Sequence, residues 1–186
     1  MMIKNTQDYF GLMSKILHWL MAILIVGLFA VGLYMTELDY YDSLYHTLPW
    51  WHKSIGLLVI GLLIFRFIWK VINPMPKALE SHKKWEVSLA HILQNIFYGL
   101  ILLIGLSGYF ISTAKGKGIE FFTLFEVPAL PFMTQNPLNE DSADLIGEVH
   151  EILAIILIIF AVLHAVAALK HHFIDKDETL KRMINK

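Results

Sequence analysis

Residues 147–172 read GEVHEILAIILIIFAVLHAVAALKHH. The run between Glu151 and Lys170 is almost wholly apolar, yet the stretch carries His150 and His164, 14 residues apart. On a helix at about 100° per residue, that spacing falls within about 40° of a whole number of turns. Both imidazoles therefore leave one face, about 21 Å apart along the axis. A run of this length and character is a transmembrane span. Polar rings inside lipid are costly, so they mark either a functional site or a pair hydrogen-bonded to neighbouring helices.

The rest of the chain has the same character. Of 186 residues, 56% are hydrophobic and only 17% charged, too apolar for a soluble domain of this size. Four spans are expected, at about 12–35, 50–72, 87–114 and 147–169, forming one all-α integral-membrane domain, a transmembrane four-helix bundle. Pro49, Trp50 and Trp51 read as an interfacial belt. Residues 73–86 form a polar, basic loop. Residues 115–146, with Phe121, Phe122, Phe125 and three prolines, form the longest connection, with room for a short interfacial helix. No repeat and no cleavable signal pattern is evident.

Basic residues set the orientation. The N-terminus, the 73–86 loop with its flanks and the tail hold 12 of the 15 Lys and Arg. The opposite side holds only Lys53, Lys115 and Lys117, and ten of the 16 acidic residues. Both termini are therefore expected in the cytoplasm.

With that orientation the histidines sort by depth. His18 and His164 fall at the inner level, His52 and His150 at the outer. The chain has no cysteine, which excludes disulfides, thiolate metal sites and covalent c-type haem. A zinc site usually needs three or four protein ligands at one level, whereas each level here offers two. Two imidazoles on facing helices suit the two axial positions of a haem iron.

Other residues are read with alternatives open. Gly32 and Gly105 stand 14 residues after His18 and His91, where a missing side chain leaves room for a flat cofactor or for close helix packing. Arg66, 14 residues after His52, either meets haem propionates or snorkels to headgroups. Glu148 or Glu151 would orient His150, or merely begin a helix. His91 is a rival to His18. His46, His82, His171 and His172 are expected to face solvent.

Several segments resemble the bacterial cytochrome b561 family. They are SKILHWL at 14–20, HKSIG at 52–56, Arg66 through Pro74 into the basic loop, EVHE at 148–151, and HHFIDKDETLKRM at 171–183. The resemblance implies two haem b groups, with axial ligands at positions matching His18, His52, His150 and His164. It implies an oxidoreductase of the bacterial inner membrane that oxidises superoxide to O2 at the outer face and reduces ubiquinone. Lys53, Lys115 and Lys117 are the only basic groups available there to attract superoxide. A second expectation is a haem-b anchor relaying electrons between quinone and a partner dehydrogenase or hydrogenase. A third is a non-redox membrane protein.

Overall fold

The computed structural model describes residues 2–184. Four long helices carry the fold: α1 (Leu12–Met35), α2 (Thr47–Ile72), α3 (Lys84–Thr113) and, after a short excursion, α5 (Glu140–Phe173). All four are long and apolar enough to cross a membrane. Between α3 and α5 lie β1 (Ile119–Phe121), β2 (Phe125–Val127) and α4 (Pro131–Gln135); α6 (Lys181–Ile184) closes the described chain.

α1 starts where its apolar run does, whereas α2, α3 and α5 begin earlier than theirs. Asn139 caps α5 by accepting the Ser142 N–H at 3.0 Å, and Glu140 and Asp141 occupy its first turn, where the helix dipole favours acids. The helix thus starts seven residues before Gly147, the expected boundary. Glu86 accepts the Lys83 N–H at 2.8 Å and starts α3 at Lys84. Pro49 lies in the first turn of α2, where its missing N–H costs nothing. Hydropathy marks where lipid begins; caps mark where helix begins.

Packing is in pairs. α1 lies along α2, α2 along α3, and α3 along α5, whereas α5 approaches α1 at few points. The buried centre is small: Met21, Val59 and Leu63, with Leu24, Leu28, Tyr98 and Ile101 packed on them. A Cβ on Gly105 would collide with the Ile60 side chain, so this glycine lets α3 close on α2. Of the two readings of Gly105, close packing is the one the geometry shows. Large apolar side chains such as Ile23, Phe67, Val71 and Ile159 point outward, the expected state of a lipid-facing surface.

Both ends of the chain meet on one side. Trp19 Nε1 donates to the Met183 carbonyl at 3.0 Å, and the Lys77 N–H donates to the Gln7 carbonyl at 2.7 Å. The opposite side carries an antiparallel hairpin in which Phe121 pairs with Phe125. Its turn holds Phe122 (φ 46°) and Thr123 (φ 61°) in the left-handed region, unusual for an aromatic and a β-branched residue. Phe122 sits edge-on to Trp50 and Trp51. The hairpin is anchored on α2: Ser54 Oγ donates to the Glu120 carbonyl at 3.2 Å, and Trp50 Nε1 donates to Glu120 at 3.1 Å. The sequence reading of 115–146 contains the short helix but not this hairpin.

Candidate functional site

Histidines from different helices meet at two levels. On the side that carries the termini, the inner level, His18 of α1 faces His164 of α5 with ring centroids 6.3 Å apart and planes at 71°. On the other side His52 of α2 faces His150 of α5, again at 6.3 Å, with planes at 67°. Two imidazoles on opposite sides of one metal ion, each nitrogen about 2 Å from it, place their centroids about 6 Å apart. Both pairs have that spacing. The inner pair spans the seam between α1 and α5 and the outer pair that between α2 and α5, the two places where α5 scarcely touches its neighbours, so each gap lies where a flat group would enter.

The outer pair is supported from α3. His150 Nδ1 lies 3.0 Å from the Ile104 carbonyl and 3.0 Å from Ser107 Oγ, while Ser107 Oγ itself donates to Ile104 at 3.0 Å. A carbonyl can only accept, so Nδ1 carries the ring proton and Nε2 is left as a lone pair. Glu148 and Glu151, read either as orienting groups or as a solvated stretch of helix, are exposed and make no hydrogen bond to His150 among the described residues. They sit beside His150 in sequence, but their side chains leave the helix on other faces. Among the described residues His52 Nδ1 is buried and has no partner.

Two glycines touch this pair. A Cβ on Gly32 would stand 3.4 Å from His52 Cε1, and one on Gly108 only 3.1 Å from His150 Cε1. Gly108 was legible only as one of the glycines of the third span, and neither it nor Ser107 was expected at the site. The signal that could have found them is a pair of small residues, Ser107 and Gly108, standing three and four positions after Ile104 on one helix face.

At the inner level Arg66 Nη2 donates to His18 Nδ1 at 3.2 Å, and Nη1 approaches Met21 Sδ at 3.9 Å. Arg66 is half-buried and meets no carboxylate among the described residues. Phe97 packs edge-on against His164 at 5.7 Å. His91 does not join this pair. It is exposed and lines a cavity of about 160 Å³ with Phe10, Leu79, His82 and Arg182. Being near the right depth was not enough, because His91 leaves α3 on a different face.

Lys53, Lys115 and Lys117 are all exposed, and among the described residues none joins an ion pair. Glu120 and Glu126 stand directly opposite each other on the hairpin, so this surface keeps its acidic character. His46 is exposed as expected. His82 and His171 are not solvent-facing: both bond to Asp177, which also accepts from Thr179. Burial alone would raise the Asp177 pKa, but hydrogen bonds from Thr179, His82 and His171 outweigh it and lower it to about 2. His172 is half-buried, with Nδ1 buried and without a partner among the described residues. The expectation failed because the tail folds back over these rings, which no local pattern announces.

Comparison with known proteins agrees with this architecture. The family description "Prokaryotic cytochrome b561" matches residues 9–186. The chain is 45% identical over 186 residues to cytochrome b561 homolog 2 of Escherichia coli (strain K12), covering 100% of this chain and 96% of that one. It is 29% identical over 173 residues to the "Probable superoxide oxidase CybB" of Yersinia pestis, covering 91% and 92%. It is also 29% identical over 168 residues to cytochrome b561 homolog 1 of Escherichia coli (strain K12), covering 90% and 92%. A match over nearly the whole chain, on a four-helix membrane bundle, settles the matter: the chain belongs to the prokaryotic cytochrome b561 family and is a multi-pass membrane protein of electron transfer.

Proposed function

We propose that this chain is a two-haem cytochrome b of the bacterial inner membrane, with both termini cytoplasmic, that oxidises superoxide at its outer face and reduces ubiquinone. The observation that carries the reading is the pair of cross-helix histidine couples, His18 with His164 and His52 with His150, each with centroids 6.3 Å apart. His18 with His164, and His52 with His150, would each hold a haem b, and that group would supply one-electron redox chemistry. Family membership sets aside the non-redox reading.

The residues would divide the work as follows. His150 arrives with its ligating nitrogen unprotonated, because Ile104 holds the proton at Nδ1. Gly32 and Gly108 keep the outer level thin enough for a flat ring system. Arg66 offers guanidinium N–H groups to acidic substituents at the inner level, which would release its bond to His18 Nδ1. Phe97 and the leucines and isoleucines of α3 and α5 exclude water.

The overall reaction balances as two superoxide anions each losing one electron to become O2, with ubiquinone taking two electrons and two protons. Haem b held by two imidazoles of this chain would supply the one-electron chemistry that oxidation of superoxide needs. Lys53, Lys115 and Lys117 are the cations available to draw that anion in against an acidic surround. A shallow cleft of about 460 Å³, lined by Leu12, Lys15, Ile16, Trp19, Met183 and Ile184, gives a quinone ring an apolar berth beside Trp19. The Trp19 indole lies 5.3 Å from His18.

One observation favours a second reading. The hairpin presents Leu124 and Phe125 outward, 74% and 58% exposed, on the side away from the termini. Such a tip suits a partner dehydrogenase or hydrogenase as well as an interface with lipid. Purified protein given superoxide and a ubiquinone analogue should show haem reduction and quinol formation unaided. Haem that is reduced only when a partner enzyme is added would establish the relay instead.

A further inference from the structure

Outside the membrane-spanning core, the α2–α3 loop converges on the junction of α5 with the tail, about 90 residues further along the chain. His82 comes from the α2–α3 loop, His171 from the last turn of α5, and Asp177 from the tail. His82 Nε2 lies 3.1 Å from Asp177 Oδ2, and His171 Nδ1 lies 2.9 Å from the same oxygen. One nitrogen or oxygen from each of the three falls within 4.8 Å of the others. Side-chain exposure is 17% for His82, 15% for His171 and 7% for Asp177, so the cluster is sheltered from water.

We propose that His82, His171 and Asp177 form a binding site for a single zinc-class divalent ion that clamps the tail onto the cytoplasmic loop. Two imidazoles and one carboxylate are the ligand set that borderline divalent metals prefer over calcium or magnesium. Metal–ligand bonds of about 2 Å require donor atoms about 3 to 4 Å apart, close to the present spacing. The site is oriented as metal ligands usually are. Asp177 Oδ1 is fixed by the Thr179 N–H at 2.8 Å, which aims Oδ2 at the two rings. Asp175 Oδ2 stands 2.9 Å from His171 Nδ1 and is within reach of the fourth position, its charge shared with Lys170 at 2.6 Å. On binding, each ring turns a lone pair to the ion at the nitrogen that now faces Asp177 and stays neutral with its one proton on the other nitrogen, a ring that was doubly protonated releasing the second proton to solvent. Ion, loop and tail then become one unit, and α6 is held against Trp19.

The test uses full-length purified protein, treated with a chelator and titrated with ZnCl2 by calorimetry. One equivalent should bind at micromolar concentration or tighter. His82→Ala and Asp177→Asn should each weaken it by more than about tenfold. His46→Ala, an exposed histidine on the other side, should leave it unchanged. Zinc-edge X-ray absorption on the unaltered protein should show two imidazole nitrogens and carboxylate oxygen in the first shell, a readout that does not depend on the variants folding. Absence of stoichiometric binding, binding that His46→Ala abolishes and His82→Ala spares, or a first shell with fewer than two imidazoles would overturn the proposal.

Discussion

Gly108 offers the sharpest test of the outer site, because the geometry there leaves so little slack. Replacing it by alanine puts a methyl carbon 3.1 Å from His150 Cε1 and 3.4 Å from its Nδ1. Ordinary carbon contacts are about 3.5–4.0 Å, so ring or helix must yield by a few tenths of an ångström. The ring cannot yield freely, since Nδ1 is held at 3.0 Å by both Ile104 and Ser107. Overpacking of this kind costs about 1–3 kcal/mol, set against about 1 kcal/mol gained by removing a helical glycine. Gly99→Ala is the control: it makes the same gain on the same helix, and nothing lies within 4 Å of its Cβ. Relative to that control, Gly108→Ala should be about 1–3 kcal/mol worse, with the loss confined to the outer centre. Pyridine haemochrome quantitation per chain reads this directly. Gly99→Ala should keep about two haems per chain, and the bulkier Gly108→Val should fall to about one, with inner-haem absorbance kept. If Gly108→Val retained both haems with unchanged potentials, the placement of a cofactor between His52 and His150 would be wrong.

Four further outcomes follow from the same geometry. His150→Ala and His164→Ala should each remove one haem and spare the other, read by reduced-minus-oxidised spectra; an unchanged spectrum in either would refute the pairing. Replacing Lys53, Lys115 and Lys117 together with glutamine should slow superoxide-driven haem reduction more at low than at high ionic strength, and no change would remove them from the mechanism. One alanine inserted after Leu157 turns the two halves of α5 about 100° out of phase and should cost one of the two haems, whereas a silent insertion would show that α5 does not carry both ligands. In metal-free protein, the Asp177 carboxyl, lowered from 3.8 to about 2, stabilises the docked tail above its unfolded pKa and loses that contribution as pH falls from about 4 through 2. Pepsin should therefore release the tail near pH 2 but not near pH 4, and Asp177→Asn should erase that difference.

The four spans were legible because lipid demands long apolar runs, and the histidine levels because a helix converts a 14-residue spacing into a common face. Both are properties of single segments. What stayed hidden depends on segments meeting. His150 is oriented by Ile104 and Ser107, 46 and 43 positions away, not by the glutamates beside it. Gly105 and Gly108 look alike in the sequence, yet one lies against Ile60 and the other against His150. The hairpin was unreadable because its strands are three residues each and its turn uses Phe122 and Thr123 instead of glycine or asparagine. The cluster on Asp177 joins His82 to a residue 95 positions later, with no spacing for a motif to catch.

That division also explains the architecture of the paired histidines. α5 supplies one ring to each pair, whereas the partners come from two different helices, α1 and α2. The distance between levels is therefore set by one continuous rod. Residues 151–163 contain no glycine and no proline, so nothing in that rod invites a kink. Each facing helix has only to place one imidazole opposite, and α1 and α2 need not hold a common spacing. Rigidity is concentrated where the two proposed centres would have to keep a fixed separation for electron transfer. Close packing is left to the α1–α2 and α3–α5 contacts, away from the seam where the rings face each other.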